Sequence, residues 1–295
     1  MTALIKGQVI THLGKGLAVE TNGQMLLCHT RRRLAKAAVG DQVLLQQSAP
    51  TQGCVEEILP RRSILMRPAR NGKTRPVAAN IDQVFVVFAP QPAGDFLLID
   101  QYLAVCENHK ITAHLLLNKT DLDISAQMFN ELEVYQALGY SLFKVSVKLP
   151  QGLAALQQAM QNKTSILSGQ SGVGKSSLSN AFIPDKTLAI NSLSAGNNHG
   201  RHTTTTATLY HLPAGGDLID SPGVAIFGLA GLSEQQLAYG FREFQTLIAQ
   251  CRFNDCRHVK DKDCAIRHAV ADGRISANRY QRFLKLRDKM PAHTD

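Results

Sequence analysis

Residues 164–182 read TSILSGQSGVGKSSLSNAF. An apolar strand, Thr164–Ser168, runs into a glycine-rich turn, and a helix is expected to begin near Lys175. The turn, Gly169-Gln170-Ser171-Gly172-Val173-Gly174-Lys175-Ser176, matches G-x-x-x-x-G-K-[ST] in full. Its glycines let successive backbone N–H groups turn inward around phosphates, and the helix N-terminus adds its dipole. In this pattern Lys175 neutralises the β- and γ-phosphates and the Ser176 hydroxyl ligates Mg²⁺, with Ser177 beside them in the helix. Strand, phosphate loop and helix in that order predict an α/β fold that binds ligands at its strand C-termini.

Upstream, the apolar stretch Ile81–Ala89 has the look of a strand buried on both faces. Asp100–Asn108, Ile124–Leu138 and Leu153–Met160 read as helices, alternating with strands Thr112–Leu117 and Leu142–Val147. Thr204–Leu212 and Gly216–Asp220 supply two more strands, so a mostly parallel sheet is expected. Asn118-Lys119-Thr120-Asp121 ends one of these strands. A carboxylate there accepts hydrogen bonds from the ring N–H and exocyclic amine of guanine, a donor pair that adenine lacks. The quartet resembles the NKxD base-recognition motif of the GTPase superfamily, in which the Asn braces the pocket and the Lys stem lies along the base. Ser146-Val147-Lys148 resembles its weaker SAK element, and the Ser146 N–H and Lys148 stem would flank the guanine. Asp220-Ser221-Pro222-Gly223 resembles DxPG: Asp220 reaches Mg²⁺ through water, and the Gly223 N–H bonds the γ-phosphate. Between them lies Gly200-Arg201-His202-Thr203-Thr204-Thr205-Thr206, where Thr203, Thr204 and Thr205 are all open as the second hydroxyl on Mg²⁺.

The order is unusual. NKxD and SAK precede the phosphate loop, whereas the common arrangement places them last. Each motif still terminates a strand, so one pocket can form if the sheet is circularly permuted.

Charge divides the chain in the same way. Residues 1–76 carry 12 basic and 4 acidic side chains, residues 77–250 carry 9 and 13, and residues 251–295 carry 11 and 6. Two cationic ends around an acidic middle suit a polyanionic partner. Short strands at Leu4–Ile10, Leu17–Glu20, Gln24–Cys28, Gln42–Leu45 and Gly53–Leu59 predict a small barrel of the oligonucleotide-binding (OB) type. Arg31, Arg32, Arg33, Lys36, Arg61, Arg62, Arg67, Arg70, Lys73 and Arg75 read as phosphate contacts of that barrel. Aromatics are absent from residues 1–76, so duplex or folded RNA backbone fits better there than a stacked single strand. At the other end, Cys251-x₄-Cys256-x-His258-x₅-Cys264 gathers four ligands suited to tetrahedral Zn²⁺, followed by a basic helix over Ser276–Lys289. It carries Arg279, Arg282, Lys285, Arg287 and Lys289, with Tyr280, Phe283, Leu284 and Leu286 supplying much of an apolar face, so half of it is expected to pack and half to face RNA. Cys28, Cys54 and Cys106 stand in apolar contexts and read as core residues. With 44% apolar residues, no run approaching 18 of them and no signal-peptide pattern, the expectation is a soluble cytoplasmic chain without membrane contact.

Barrel, NKTD, SVK, GQSGVGKSS, GRHTTT, DSPG and the Cys/His knuckle, in this order, resemble the RsgA (YjeQ) family of small ribosomal subunit biogenesis GTPases across essentially the whole chain. The resemblance implies an OB-type barrel over 1–70, a circularly permuted P-loop GTPase domain over 71–230 and an α-helical zinc-binding domain over 231–295. It implies GTP hydrolysis stimulated by the 30S subunit, contact with 16S rRNA and coupling to late subunit maturation. Other small-subunit assembly factors are expected partners, and the chain is expected to be monomeric. Where Ras-like enzymes place a catalytic Gln after DxxG, this chain has Val224, and the resemblance gives the water-orienting role to His202. Ala225 departs from the Arg that many relatives carry. The alternatives are an RNA-binding assembly factor that binds GTP without significant hydrolysis, and an ATP-dependent kinase.

Overall fold

Alternating apolar residues in five short strands can be buried only if the sheet curls on itself, and it does. A computed structural model describes residues 3–14, 16–68, 74–149, 152–183, 207–220, 229 and 231–290. Contacts group the chain into two units: Met1–Gln83 with Leu153–Leu167 and Lys175–Ile226, and Val84–Gly152 with Ser168–Gly174 and Phe227–Asp295.

In the first unit, β1 (Ile5–Leu13), β2 (Gly16–Thr21), β3 (Gln24–Thr30), β4 (Gln42–Ala49) and β5 (Gln52–Ile58) are ordered β1-β2-β3-β5-β4. β1 pairs back onto β4, with Ile5 opposite Leu45, which closes the expected barrel. Val9, Leu17, Val19, Leu26, Val43, Leu45 and Val55 fill it. Burying each such side chain contributes about 1.5–3 kcal/mol. Not every arginine of this module is left for phosphate. Arg61 grips the fully buried Asp41 carboxylate through bonds of 2.7 and 2.8 Å, and the Ala38 N–H donates to the same carboxylate. Arg61 is therefore a clamp of the barrel. Arg31 and Arg62 are engaged by Glu56 and Asp82. A hairpin of β6 (Ile64–Pro68) and β7 (Thr74–Ala79) follows the barrel. Its prolines and arginines hide the alternation that would have predicted it.

The same unit holds β11 (Thr164–Ser168) up to Leu167, β12 (Thr208–His211) and β13 (Asp217–Asp220), with helices α3 (Leu153–Met160) and α4 (Lys175–Phe182). β11 and β13 run parallel, while β12 is antiparallel to β13 and also meets β1 at Thr11 and Thr208. The Thr11 hydroxyl donates to the Ala207 carbonyl at 2.9 Å across this joint. His211 sits between two carboxylates, Asp217 at Nδ1 and Glu20 at Nε2, each 2.6 Å away. Those hydrogen bonds, Asp217 foremost, raise its pKa to about 9 against partial burial.

In the second unit the strands are β8 (Gln83–Phe88, from Val84 onward), β9 (Thr112–Leu117) and β10 (Leu142–Lys144), in the order β10-β9-β8, with β10 parallel to β9. All of β8 is buried, as its unbroken apolar sequence requires. β10 is shorter than expected because Val145 leaves the strand register: its carbonyl accepts from the Thr120 N–H. Helices α1 (Phe96–Asn108) and α2 (Ala126–Ala137) are capped by the Asp95 and Ser125 side chains. Four C-terminal helices follow: α5 (Glu234–Tyr239), α6 (Arg242–Ile248), α7 (Ala265–Ala271) and α8 (Ala277–Asp288). Ser233 and Gln236 form a capping box on α5. Among the described residues no helix is long and apolar enough to cross a membrane.

Of the five cations of α8 and its C-cap, Lys285 and Lys289 are exposed, but two are not left for RNA. Arg279 and Arg282 both point inward and converge on Asp100 of α1, each 2.5 Å from a carboxylate oxygen. Tyr135 of α2 donates its hydroxyl to the same carboxylate at 2.6 Å. Glu243 of α6 pairs with Arg279, and Glu131 of α2 takes Arg282 through bonds of 2.8 and 3.1 Å. The Asp100 and Arg279 side chains are 0% and 1% exposed, and the rings of Tyr135 and Phe241 lie 5.0 and 4.9 Å from the Arg279 guanidinium. The buried carboxylate compels the inward arginines, since an unpaired charge there is far more costly than one at the surface.

Arg279→Met is expected to lower stability by about 3–5 kcal/mol in urea unfolding, because it leaves the mostly buried Glu243 carboxylate without its cation and Asp100 with Arg282 alone. Arg252→Met, which removes an ion pair about half exposed on both sides, is expected to cost under about 1 kcal/mol. The pH dependence of stability should show His211. Its contribution is complete below about pH 6.5, the unfolded value, and disappears as pH rises through about 9. His211→Gln should flatten the fall of the urea midpoint across that interval; an unchanged slope would exclude the assignment.

Candidate nucleotide site and metal centre

The phosphate loop begins where β11 ends and gives way to α4 at Lys175, as the sequence requires. Gly169 is irreplaceable on steric grounds: a Cβ there would lie 2.0 Å from the Val87 carbonyl oxygen. Gly174 has φ +93°, and a Cβ would meet the Asn118 amide nitrogen at 2.3 Å. The loop thus lies against the ends of β8 and β9, and two side chains from β9's end hold it. Asn118, buried, donates from Nδ2 to the Val173 carbonyl at 2.8 Å. Lys119 donates to the carbonyls of Gly172 at 2.8 Å and Gln91 at 2.7 Å. Lys119 has φ +60°, a backbone cost that is common where a functional side chain must be aimed.

Two residues further on, Asp121 is exposed, and its carboxylate accepts the Ser146 hydroxyl at 2.6 Å with Lys148 3.2 Å away. The Ser146 hydrogen bond chiefly, with Lys148, holds the Asp121 carboxyl below the usual carboxylate range. NKTD, SVK and the loop Gly169–Gly174 are therefore joined by direct contacts within one unit. Lys119 has its ammonium group on loop carbonyls, so it braces the site as Asn118 does. The Gln170 side chain accepts from the Asp95 N–H and donates to the Ala93 carbonyl, both at 2.8 Å, tying the loop to the start of α1. Sequence reasoning named Gln170 as a loop residue but had no signal for this latch, which joins positions 75 residues apart.

The remaining residues that the sequence motifs name lie in the other unit. β11 and β13 run parallel with Ile166 opposite Ile219, so Asp220 stands at the C-terminal end of its strand. Partial burial lowers the Lys175 pKa, opposed by the charge of Asp220. Ser176 and Ser177 are exposed on the first turn of α4. A lysine drawn from water and a nearby carboxylate suit a polyphosphate carrying a divalent cation. His202, Thr203, Thr204, Thr205, Gly223 and Val224 lie outside the described residues.

At the C-terminus, Cys251 follows α6 and Cys264 caps α7, with Cys256 and His258 between them. Their four ligand atoms all lie within 4.8 Å of one another. His258 Nδ1 is 3.6 Å from both the Cys251 and Cys264 sulfurs, and those sulfurs are 4.0 Å apart. A tetrahedral site with metal–ligand bonds of about 2.0–2.3 Å has edges of about 3.5–3.8 Å. The cluster fits a metal ion. Burial pushes the Cys256 thiol up to about 12 and raises Cys264 as well, so ionised thiolates here call for a cation. His258 takes φ +59°, and its carbonyl accepts the Tyr280 hydroxyl at 2.8 Å, which anchors the knuckle to α8. Cys28 and Cys106 are buried away from this cluster, as expected of core residues.

Comparison with known proteins places these features together. The RsgA GTPase family model matches residues 58–230. A protein named small ribosomal subunit biogenesis GTPase RsgA from Chromohalobacter salexigens is 45% identical over 289 residues, covering 96% of this chain and 85% of that protein. Its namesake from Pseudomonas aeruginosa is 43% identical, covering 97% and 85%. Among solved structures, YjeQ from Thermotoga maritima aligns with a TM-score of 0.77 at 30% identity over 97% of this chain and 98% of that one. YloQ, described as a circularly permuted GTPase, aligns at 0.74 with 27% identity over 98% and 97%. With the motif order, the barrel and the Cys/His cluster in place, this chain belongs to the RsgA GTPase family.

Proposed function

We propose that this GTP hydrolase works on the small ribosomal subunit, binding 30S particles through 16S rRNA late in their maturation and using hydrolysis to leave them. The observation that carries the reading is the brace from Asn118 and Lys119 to the phosphate loop, which gives one nucleotide a base site and a phosphate site at the same time. Asp121, kept ionised by Ser146 and Lys148, accepts the guanine donor pair. The loop N–H groups from Gly169 to Gly174 bind the phosphates, and Lys175 offsets their charge. Ser176 and Asp220 would hold Mg²⁺, which when bound neutralises charge developing on the β- and γ-phosphate oxygens. Gly223 donates its N–H to the γ-phosphate. His202 orients the attacking water and accepts its proton as the new bond to phosphorus forms and GDP departs. With Val224 unable to bind water, turnover by the free protein is slow.

In this reading residues 1–70 and 231–295 are the RNA-facing modules around the GTPase domain 71–230, with Zn²⁺ in the knuckle. Arg32, Arg33 and Lys36 remain exposed on the barrel for phosphate. The protein acts in the cytoplasm, as a monomer and alongside other small-subunit assembly factors.

Purified 30S subunits should raise the GTPase rate by at least about tenfold, and the apparent affinity should fall steeply between low and moderate salt as phosphate contacts are screened. His202→Ala should leave nucleotide affinity unchanged and lower the stimulated rate by about 10² or more. Equal rates with and without subunits would overturn the reading. Elemental analysis should find one zinc per chain; Cys264→Ser should lose it and drop the unfolding midpoint by at least about 5 °C.

A further inference from the structure

The barrel can grip an RNA backbone, but residues 1–76 contain no aromatic side chain on which a base could stack. A platform of that kind stands instead beside the Cys/His knuckle. Tyr239, at the end of α5, and Phe253, in the knuckle loop, are 52% and 46% exposed, although large hydrophobic side chains usually find cover. Both line one cleft of about 380 Å³, floored by the buried Cys256 and His258. Gln235 and Asn254, exposed amides on the same rim, make no side-chain hydrogen bond among the described residues. The Arg252 guanidinium, ion-paired with Asp263, lies 5.5 Å from the Phe253 ring centre, and Lys260 and Lys262 are exposed on the same loop.

Aromatic faces, amides that both donate and accept, and nearby cations match the parts of one unstacked nucleotide: π-face, base edge and phosphate. We propose that this cleft captures a single unpaired RNA base, stacked on Tyr239 and Phe253 and hydrogen-bonded at its edge by Gln235 and Asn254. The inference rests on RNA being the partner, and adds that the two ends of the chain divide the labour. The barrel holds backbone without stacking, and the C-terminal module reads an exposed base. A peptide would find the same apolar faces. The exposed Lys260 and Lys262 and the amide pair favour a nucleotide.

The zinc-loaded full-length protein is titrated with a short single-stranded RNA containing 2-aminopurine, with that strand annealed to its complement, and with 30S subunits. Tyr239→Ala and Phe253→Ala should each weaken single-strand binding by about 5- to 100-fold, the range for loss of one stacked base. They should leave the salt slope unchanged, because no phosphate contact is removed. Tyr239→Phe, which keeps the ring, should bind as wild type does. The 2-aminopurine emission should be quenched by wild type and by Tyr239→Phe, and not by the alanine variants. Zinc content and basal GTPase rate should be the same in all four proteins. Undiminished single-strand binding by the alanine variants, or an equal loss on the duplex, would overturn the base site. So would reduced 30S binding with single-strand binding intact, which would assign the cleft to a ribosomal protein. Failure of the wild type itself to bind 30S subunits would instead remove the reading on which the inference rests.

Discussion

Two hydrogen-bonding side chains at the end of β9 hold the phosphate loop: the Asn118 amide on the Val173 carbonyl and the Lys119 ammonium on those of Gly172 and Gln91. The rest of the nucleotide site depends on this brace. A glycine-rich loop has little to hold its own shape, since each glycine gives up more conformational freedom on ordering than any other residue. Fixing its carbonyls from one side leaves the N–H groups on the other side preorganised for anions. Because Asp121 lies only two residues beyond Lys119, the brace also fixes the carboxylate that we propose receives the base. Circular permutation leaves this intact: what matters is which strand ends share an edge, and not the order in which the chain visits them.

Charge is used in two physically different ways. In the core, Asp100, Glu131, Glu243, Arg279 and Arg282 join α1, α2, α6 and α8, every member paired and mostly out of water. Such a network adds little net stability over apolar packing, but it penalises any arrangement that leaves one charge alone. It therefore specifies how the C-terminal helices seat on α1 and α2. On the barrel, Arg32, Arg33 and Lys36 are exposed, and their field extends about one Debye length, roughly 8–10 Å, at ordinary salt. Residue type does not separate these uses. Arg61 and Arg32 are the same amino acid in one basic segment, yet one clamps the buried Asp41 and the other faces solvent.

The metal cluster follows a third logic. Its Cys256 and Cys264 thiols are buried enough that ionisation without a cation is disfavoured, and His258 holds a left-handed backbone conformation to bring Nδ1 within 3.6 Å of two sulfurs. The Phe244 and Phe283 rings, each 6.5 Å from the His258 ring, back it with the aromatic core of the C-terminal helices.

The sequence alone determined whatever is encoded locally. The loop G-x-x-x-x-G-K-S, the quartet NKTD, the ligand spacing from Cys251 to Cys264, and the strands Thr112–Leu117 and Thr164–Ser168 each carry their signal within a few residues, because turn chemistry and apolar periodicity are short-range. Tertiary structure decided whatever depends on a distant partner. Arg279 and Arg282 read as solvent-facing cations until Asp100, about 180 residues earlier, is placed against them. Arg61 reads as a phosphate contact until Asp41 is found in its grasp, and Gln170 reads only as a residue of the nucleotide-binding loop until Asp95 donates to it. The hairpin Ile64–Pro68 with Thr74–Ala79 was hidden because its alternation is broken by proline and arginine, and pairing and burial supplied what periodicity did not. A polar side chain carries no mark of its partner, and only the fold decides whether it meets water, an opposite charge or a ligand.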